Sequence, residues 1–128
     1  MGKLKIGFFP GVFDFVHAGH VIAFGECKQY CDYLIIGLQT NPRGKIPIMS
    51  LLERYTMLKA NKYVDAIIPY GTEEELQIIE SWLPIDFRFR GKDHKGELHY
   101  PTRGKFIDIV GDNSIHSSDI RKRCQQSS

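Results

Sequence analysis

The stretch Tyr33–Leu38, YLIIGL, constrains the fold of this chain more than any other segment. It is nearly all apolar and lacks the in–out alternation of a strand with one wet face. Strands covered by helices on both faces read this way. Lys3–Phe9 is a similar run, carrying Leu4, Ile6, Phe8 and Phe9 and stopped by Pro10-Gly11. Val64–Pro69 (VDAIIP), Ile85–Arg90 and Phe106–Val110 supply three more strand patterns. Helical patterns lie between them. His20–Tyr30 holds Val21, Phe24 and Cys27 at helical spacing. Ser50 with Glu53 makes a capping box for a helix reaching about Ala60, and Thr72 with Glu75 makes a second, continued by Leu76, Ile79 and Leu83. Gly91–Gly104 is a polar loop, and Ser117 or Ser118 caps a last short helix through about Arg123.

The order β-α-β-α-β-α-β-loop-β-α predicts an α/β fold, a Rossmann-like, doubly wound, parallel five-stranded sheet in a single domain. At 128 residues one core suffices, with residues 1–124 forming the domain and 125–128 a frayed tail. Sheets of this kind hold ligands beyond the carboxyl ends of their strands, near the point where strand order reverses. The loops that matter are therefore Pro10–Gly19, Thr40–Met49, Gly91–Gly104 and Gly111–Ser117.

Bulk charge excludes some partners. Lys plus Arg is 17 against 15 Asp plus Glu, a net +2, which argues against a nucleic-acid binder and against a disordered, highly charged chain. The three cysteines, Cys27, Cys31 and Cys124, are too few for a disulfide framework and read as reduced thiols of a cytoplasmic domain. Cys27 and Cys31 have no second ligand pair to complete a zinc site, so no protein-held metal is expected. No apolar run approaches the ~18 residues a membrane span requires. The start, Met-Gly-Lys-Leu-Lys, runs straight into a strand pattern, which leaves no room for a signal peptide.

The first strand ends in Gly11-Val12-Phe13-Asp14-Phe15-Val16-His17-Ala18-Gly19-His20. This matches neither the dinucleotide-binding nor the Walker glycine pattern. Its distinctive part is a pair of imidazoles, His17 and His20, at a strand-to-helix junction. Gly19 lets backbone approach a ligand closely, and the free N–H groups and dipole of a helix N-terminus favour anions. Together these make a site for phosphate groups. A structural helix cap and a metal-binding pair are the rival readings of the same residues.

In this context the chain resembles the cytidylyltransferase family of nucleotidyltransferases, most closely the small glycerol-3-phosphate cytidylyltransferases. The family's G-x-F-D-x-x-H-x-G-H is matched from Gly11 to His20, and its lysine loop with S-x-x-E-R by Lys45, Ser50, Glu53 and Arg54. Its Y-V-D segment is met by Tyr63, Val64 and Asp65, its G-x-D by Gly91 and Asp93, and its I-S-[ST]-[ST]-x-I by Ile115–Ile120. Three departures stand beside these matches. Gly111-Asp112-Asn113-Ser114 replaces R-T-x-G, His116 replaces a serine, and Lys62 replaces the arginine before Y-V-D.

The resemblance implies transfer of a CMP group from CTP to a small phosphorylated alcohol with loss of pyrophosphate. ATP with a sugar phosphate or phosphorylated vitamin is the alternative, and a non-catalytic nucleotide-binding module a second. It implies that His17, His20, Lys45 and Arg121 are catalytic. Gly11, Val12, Phe13, Asp14, Gly19, Gly91, Asp93, Ile115, Ser117 and Ser118 would bind nucleotide, and Lys62 and Arg54 would bind substrate. Asp14 is expected to orient the motif rather than act as a base. Mg2+ would arrive with the triphosphate, and a homodimer is implied. The blander readings make Lys45 a solvated loop lysine, Arg54 a partner in a helix-surface ion pair and Arg121-Lys122-Arg123 a solvated helical turn. His94 and His99 read as exposed loop residues and Trp82 as a packing residue.

Overall fold

The computed structural model describes residues 3–42, 44, 46–91 and 103–110. Along the chain run β1 (Ile6–Gly11), α1 (Ala18–Cys27), β2 (Tyr33–Gln39), α2 (Leu51–Lys59), β3 (Ala66–Tyr70), α3 (Glu73–Trp82), β4 (Phe87–Gly91) and β5 (Lys105–Ile109). The strands form one five-stranded sheet in the order β3-β2-β1-β4-β5, and every pairing is parallel. Strand order therefore reverses between β1 and β4. The expected fold is the one observed. The last helix and the 125–128 tail lie outside the described residues.

Adjacent apolar residues serve opposite faces. Phe9, Leu34, Ile36, Leu38, Phe89 and Ile109 pack with Phe24 and Cys27 of α1 and Leu58 of α2. Phe8 and Ile35 pack on the other face with Leu76 of α3, Tyr70 and Ile85. This is why YLIIGL shows no alternation: both faces of β2 are dry.

The amino edge of the sheet is held by aspartates. Lys5 N–H donates to Asp32, Ile6 N–H to Asp86 (2.8 Å) and Leu34 N–H to Asp65 (2.8 Å). Asp65 also takes the Lys28 ammonium at 2.7 Å. Near the start of β4, Arg88 forms a buried ion pair with Glu80 of α3.

Some boundaries differ from expectation. The first strand runs through Pro10 to Gly11 rather than stopping before it. Its pairing with β4 covers only Gly7↔Phe87 and Phe8↔Arg88, so Pro10 has a strand neighbour only on the β2 side. A missing N–H is tolerated at such a position. The third strand starts at Ala66 instead of Val64. The first helix spans Ala18–Cys27 instead of His20–Tyr30, because His17 caps it and tighter bonds, Gln29 to Glu26 and Tyr30 to Cys27, close its last turn.

Candidate active site

Beyond Phe8 the β1 and β4 ladders part, which opens the sheet where strand order reverses. The loop leaving β1 there is tightly wound. Phe13 and Phe15 both take a left-handed backbone with φ of 53°, rare for bulky residues and sustained only where packing over-determines it. The Phe13 ring supplies that packing. It is buried and meets Phe9, Phe24 and His20 edge-on at centroid distances of 5.5, 5.5 and 5.8 Å. A Cβ on Gly11 would come 3.0 Å from the same ring, so any other residue there would press on it.

The loop delivers His17 as the N-cap of α1. Its Nδ1 accepts from Gly19 N–H at 3.0 Å, and His20 Nδ1 accepts from His17 N–H at 3.1 Å. The two imidazoles thus form a reciprocal capping box, the role usually filled by Ser or Thr with Glu or Gln. Their ring centroids lie 4.1 Å apart.

This cap fixes the chemistry of both rings. An imidazole that accepts at Nδ1 carries its proton on Nε2 when neutral. Burial, and secondarily the neighbouring His17, lower the pKa of His20 to about 4. His20 is therefore neutral near pH 7 and acts as an Nε2–H donor. Such a donor suits an anion that gains charge during reaction.

Asp14 does not project as a base. Its carboxylate accepts from Ile48 N–H and Met49 N–H, each at 3.0 Å, and ties the β1 loop to the segment preceding α2. That segment enters α2 through the expected Ser50–Glu53 capping box. Gly44, with φ of 82°, takes a left-handed turn in the loop between, and Ile46 is 94% exposed.

The structure brings Gly11, Val12, Phe13, Asp14, His17, Gly19, His20 and Gly91 to the carboxyl edge of the sheet. Three sequence readings change. Phe13 packs its ring in the core, so any nucleotide contact it makes falls to its backbone. Arg54 is neither a surface ion-pair partner nor an open substrate contact: it is 2% exposed and donates to main-chain carbonyls. Lys62 precedes β3, at the amino edge that Asp65 ties to Leu34, so this chain places it at the opposite end of the sheet from its own histidine cap. Its ammonium lies 5.0 Å from the Tyr63 ring centroid. Lys45, Asp93, Ile115, Ser117, Ser118 and Arg121 lie outside the described residues, as do His94 and His99.

One contact escaped the sequence reading: Phe24 stacks near His20 at 6.4 Å, and its spacing four residues along α1 was the available signal. Apart from the histidine cap, Arg90 near the end of β4 pairs with Asp108 and lies 5.1 Å from the Phe106 ring centroid, a cross-strand arrangement that only the β4–β5 register creates.

Residues 8–94 match the family model for cytidylyltransferase-like proteins. The chain belongs to the cytidylyltransferase-like family. Among curated relatives, the bifunctional protein HldE of Granulibacter bethesdensis is 31% identical over 121 residues, covering 90% of this chain and 23% of that protein. The HldE of Campylobacter jejuni strain RM1221 is 34% identical over 122 residues, covering 91% of this chain and 24% of the relative. The chain thus spans about a quarter of the length of these relatives. Of solved structures, the lipopolysaccharide core biosynthesis protein from Thermoplasma volcanium superposes with a TM-score of 0.72 at 23% identity, covering 87% of this chain and all of the other. A protein from Vibrio parahaemolyticus assigned as a nicotinate-nucleotide adenylyltransferase gives 0.66 at 17% identity, covering 98% of this chain and 90% of the other. These likenesses establish the same fold. No helix among the described residues is long and apolar enough to cross a membrane.

Proposed function

We propose that this cytidylyltransferase-like chain transfers a nucleotidyl group from a nucleoside triphosphate to a small phosphorylated acceptor. An acceptor phosphate oxygen attacks the α-phosphorus, a P–O–P linkage forms, and the bond from that phosphorus to the α,β-bridging oxygen breaks to release pyrophosphate. The attacking oxygen is already anionic near neutral pH, so no strong base is needed. Catalysis then rests on alignment and on stabilising the charge that grows on phosphoryl oxygens.

The single observation that carries this reading is the reciprocal histidine cap, in which backbone N–H groups donate to both Nδ1 atoms and leave Nε2 as the donor of each neutral ring. In this mechanism His17 and His20 donate hydrogen bonds to the phosphates at the N-terminus of α1, whose dipole also favours them. Lys45 closes over the triphosphate as a compact cation. Ser117 and Ser118 hold its β and γ phosphates, and Arg121 adds charge there. Among the described residues no three His, Cys, Asp or Glu side chains group closely enough to hold a metal. A magnesium ion would arrive on the triphosphate and draw its ligands from phosphate oxygens and water, where it neutralises charge. The homodimer implied by the family resemblance belongs to this reading, and sedimentation of the purified chain tests it.

For the donor we favour ATP, and for the acceptor a sugar phosphate. The departures at Lys62, Gly111–Ser114 and His116 fall within motifs that the resemblance ties to CTP and glycerol 3-phosphate. The adenylyltransferase and lipopolysaccharide-core assignments of the two structural neighbours add support. CTP with a small alcohol phosphate is the second reading, supported by the unbroken match from Gly11 to His20. Pyrophosphate release from ATP, CTP, GTP and UTP across panels of sugar and alcohol phosphates separates the two. Turnover with CTP alone would reverse our choice of donor, and no release with any triphosphate would refute the function.

A further inference from the structure

Arg54 lies in the first turn of α2, four residues before Leu58 on the core-facing side, and is almost wholly buried. Its guanidinium donates to four main-chain carbonyls. Nη1 reaches Val12 at 3.0 Å and Gln39 at 2.7 Å, Nη2 reaches Thr40 at 3.3 Å, and Nε reaches Met49 at 3.3 Å. These bonds occupy four of the five N–H donors that the group possesses.

The four carbonyls belong to three separate segments. Val12 opens the loop that carries the histidine cap. Gln39 and Thr40 end β2 and begin the loop that carries Lys45. Met49 ends that same loop, just before the Ser50 N-cap of α2. One guanidinium thus pins both ends of the lysine loop and the base of the histidine loop. Asp14 completes the clamp, because Met49 donates its N–H to Asp14 while its carbonyl accepts from Arg54.

We propose that Arg54 is a positioning residue that holds the lysine loop and the histidine loop at a set separation without touching substrate. The inference rests on the nucleotidyl-transfer reading for its kinetic consequence, but the clamp itself stands on hydrogen bonds. It also explains the residue type. A planar fork can address carbonyls in several directions, whereas a lysine ammonium on the same stem is a single point that cannot span them.

Arg54→Lys tests this, because it keeps the charge and removes the fork. The expected result is a fall in kcat of about tenfold or more with the triphosphate KM within about threefold, since misplacement by an ångström is that costly to catalysis. Amide exchange at Ile48 and Met49 is expected to quicken in the same variant. A raised KM with kcat and exchange unchanged would overturn the proposal, because that is the signature of a direct phosphate contact. Unchanged kinetics would overturn it as well. Should the variant fail to fold, NMR of the unsubstituted protein decides. Arg54 side-chain N–H groups protected from solvent exchange both without and with ATP support the clamp, and protection arising only after ATP addition overturns it. If the unsubstituted protein turns over no triphosphate, the proposed function fails, while the exchange measurements still report on the clamp.

Discussion

Acidification should weaken this fold through one ring, and His20→Gln isolates the effect. Glutamine is a natural partner in a capping box, so the variant keeps an acceptor for His17 N–H while removing the titrating group. His20 has its pKa lowered from 6.5 to about 4, first by burial and then by His17. The unfolded chain therefore binds a proton at His20 before the folded one does. Stability linked to the neutral ring is fully present above pH 6.5 and is lost as pH falls towards 4. At about 1.36 kcal/mol per unit, and discounted for the part of the ring that meets solvent, the loss reaches roughly 2 kcal/mol by about pH 4.5. Urea denaturation followed by circular dichroism at several pH values measures it; Trp82 is 81% exposed and would be a weak fluorescent probe. Relative to His20→Gln, the unsubstituted protein should lose about 2 kcal/mol between roughly pH 7.5 and pH 4.5. A difference between the two proteins that stays flat over that range would show that His20 titrates alike folded and unfolded, and the buried neutral donor would be refuted.

Other perturbations follow from particular contacts. His17→Ala and His20→Ala should each lower kcat by about two orders of magnitude or more in the pyrophosphate assay, with circular dichroism showing the fold retained. Near-normal turnover in either variant would remove the donor assignment. Gly7→Ala would set a Cβ 2.4 Å from Phe89 Cε2 and 2.8 Å from Cys31 Sγ in the core. Such overpacking should cost about 1–3 kcal/mol in denaturant titration. Arg88→Met leaves Glu80 buried without its cation and should destabilise by about 3–5 kcal/mol, whereas Arg88→Met with Glu80→Leu should recover most of that. Cys27 and Cys31 are buried thiols whose pKa values burial pushes up, so both should resist alkylation until the protein unfolds.

Much of the architecture was legible because the signals are local. Ser50-Glu53 and Thr72-Glu75 mark helix starts through bonds spanning only three residues, and the structure forms the side-chain cap at each. Dry runs such as YLIIGL need no partner to be recognised as doubly covered strands. The candidate site was half legible for the same reason. His17 and His20 announce themselves by type and spacing, whereas their tautomers depend on which backbone N–H each Nδ1 meets. Arg54 was misread because an arginine in the first turn of a helix ordinarily faces water, and its four carbonyl partners come from residues 12, 39, 40 and 49.

The sequence by itself determined the class of fold, the family and the histidine pair of the candidate site, since periodicity, caps and short motifs are properties of neighbouring residues. Only the tertiary structure decided what those residues are free to do. Parting of β1 from β4 opened the crevice, burial set the charge of His20, and the β2 end gathered beside the Val12 carbonyl turned Arg54 inward. Lys62 shows the same division, standing in the motif position of an arginine yet carried by strand direction to the edge of the sheet opposite the histidine cap. Such outcomes depend on distances between residues tens of positions apart, which chain order does not contain.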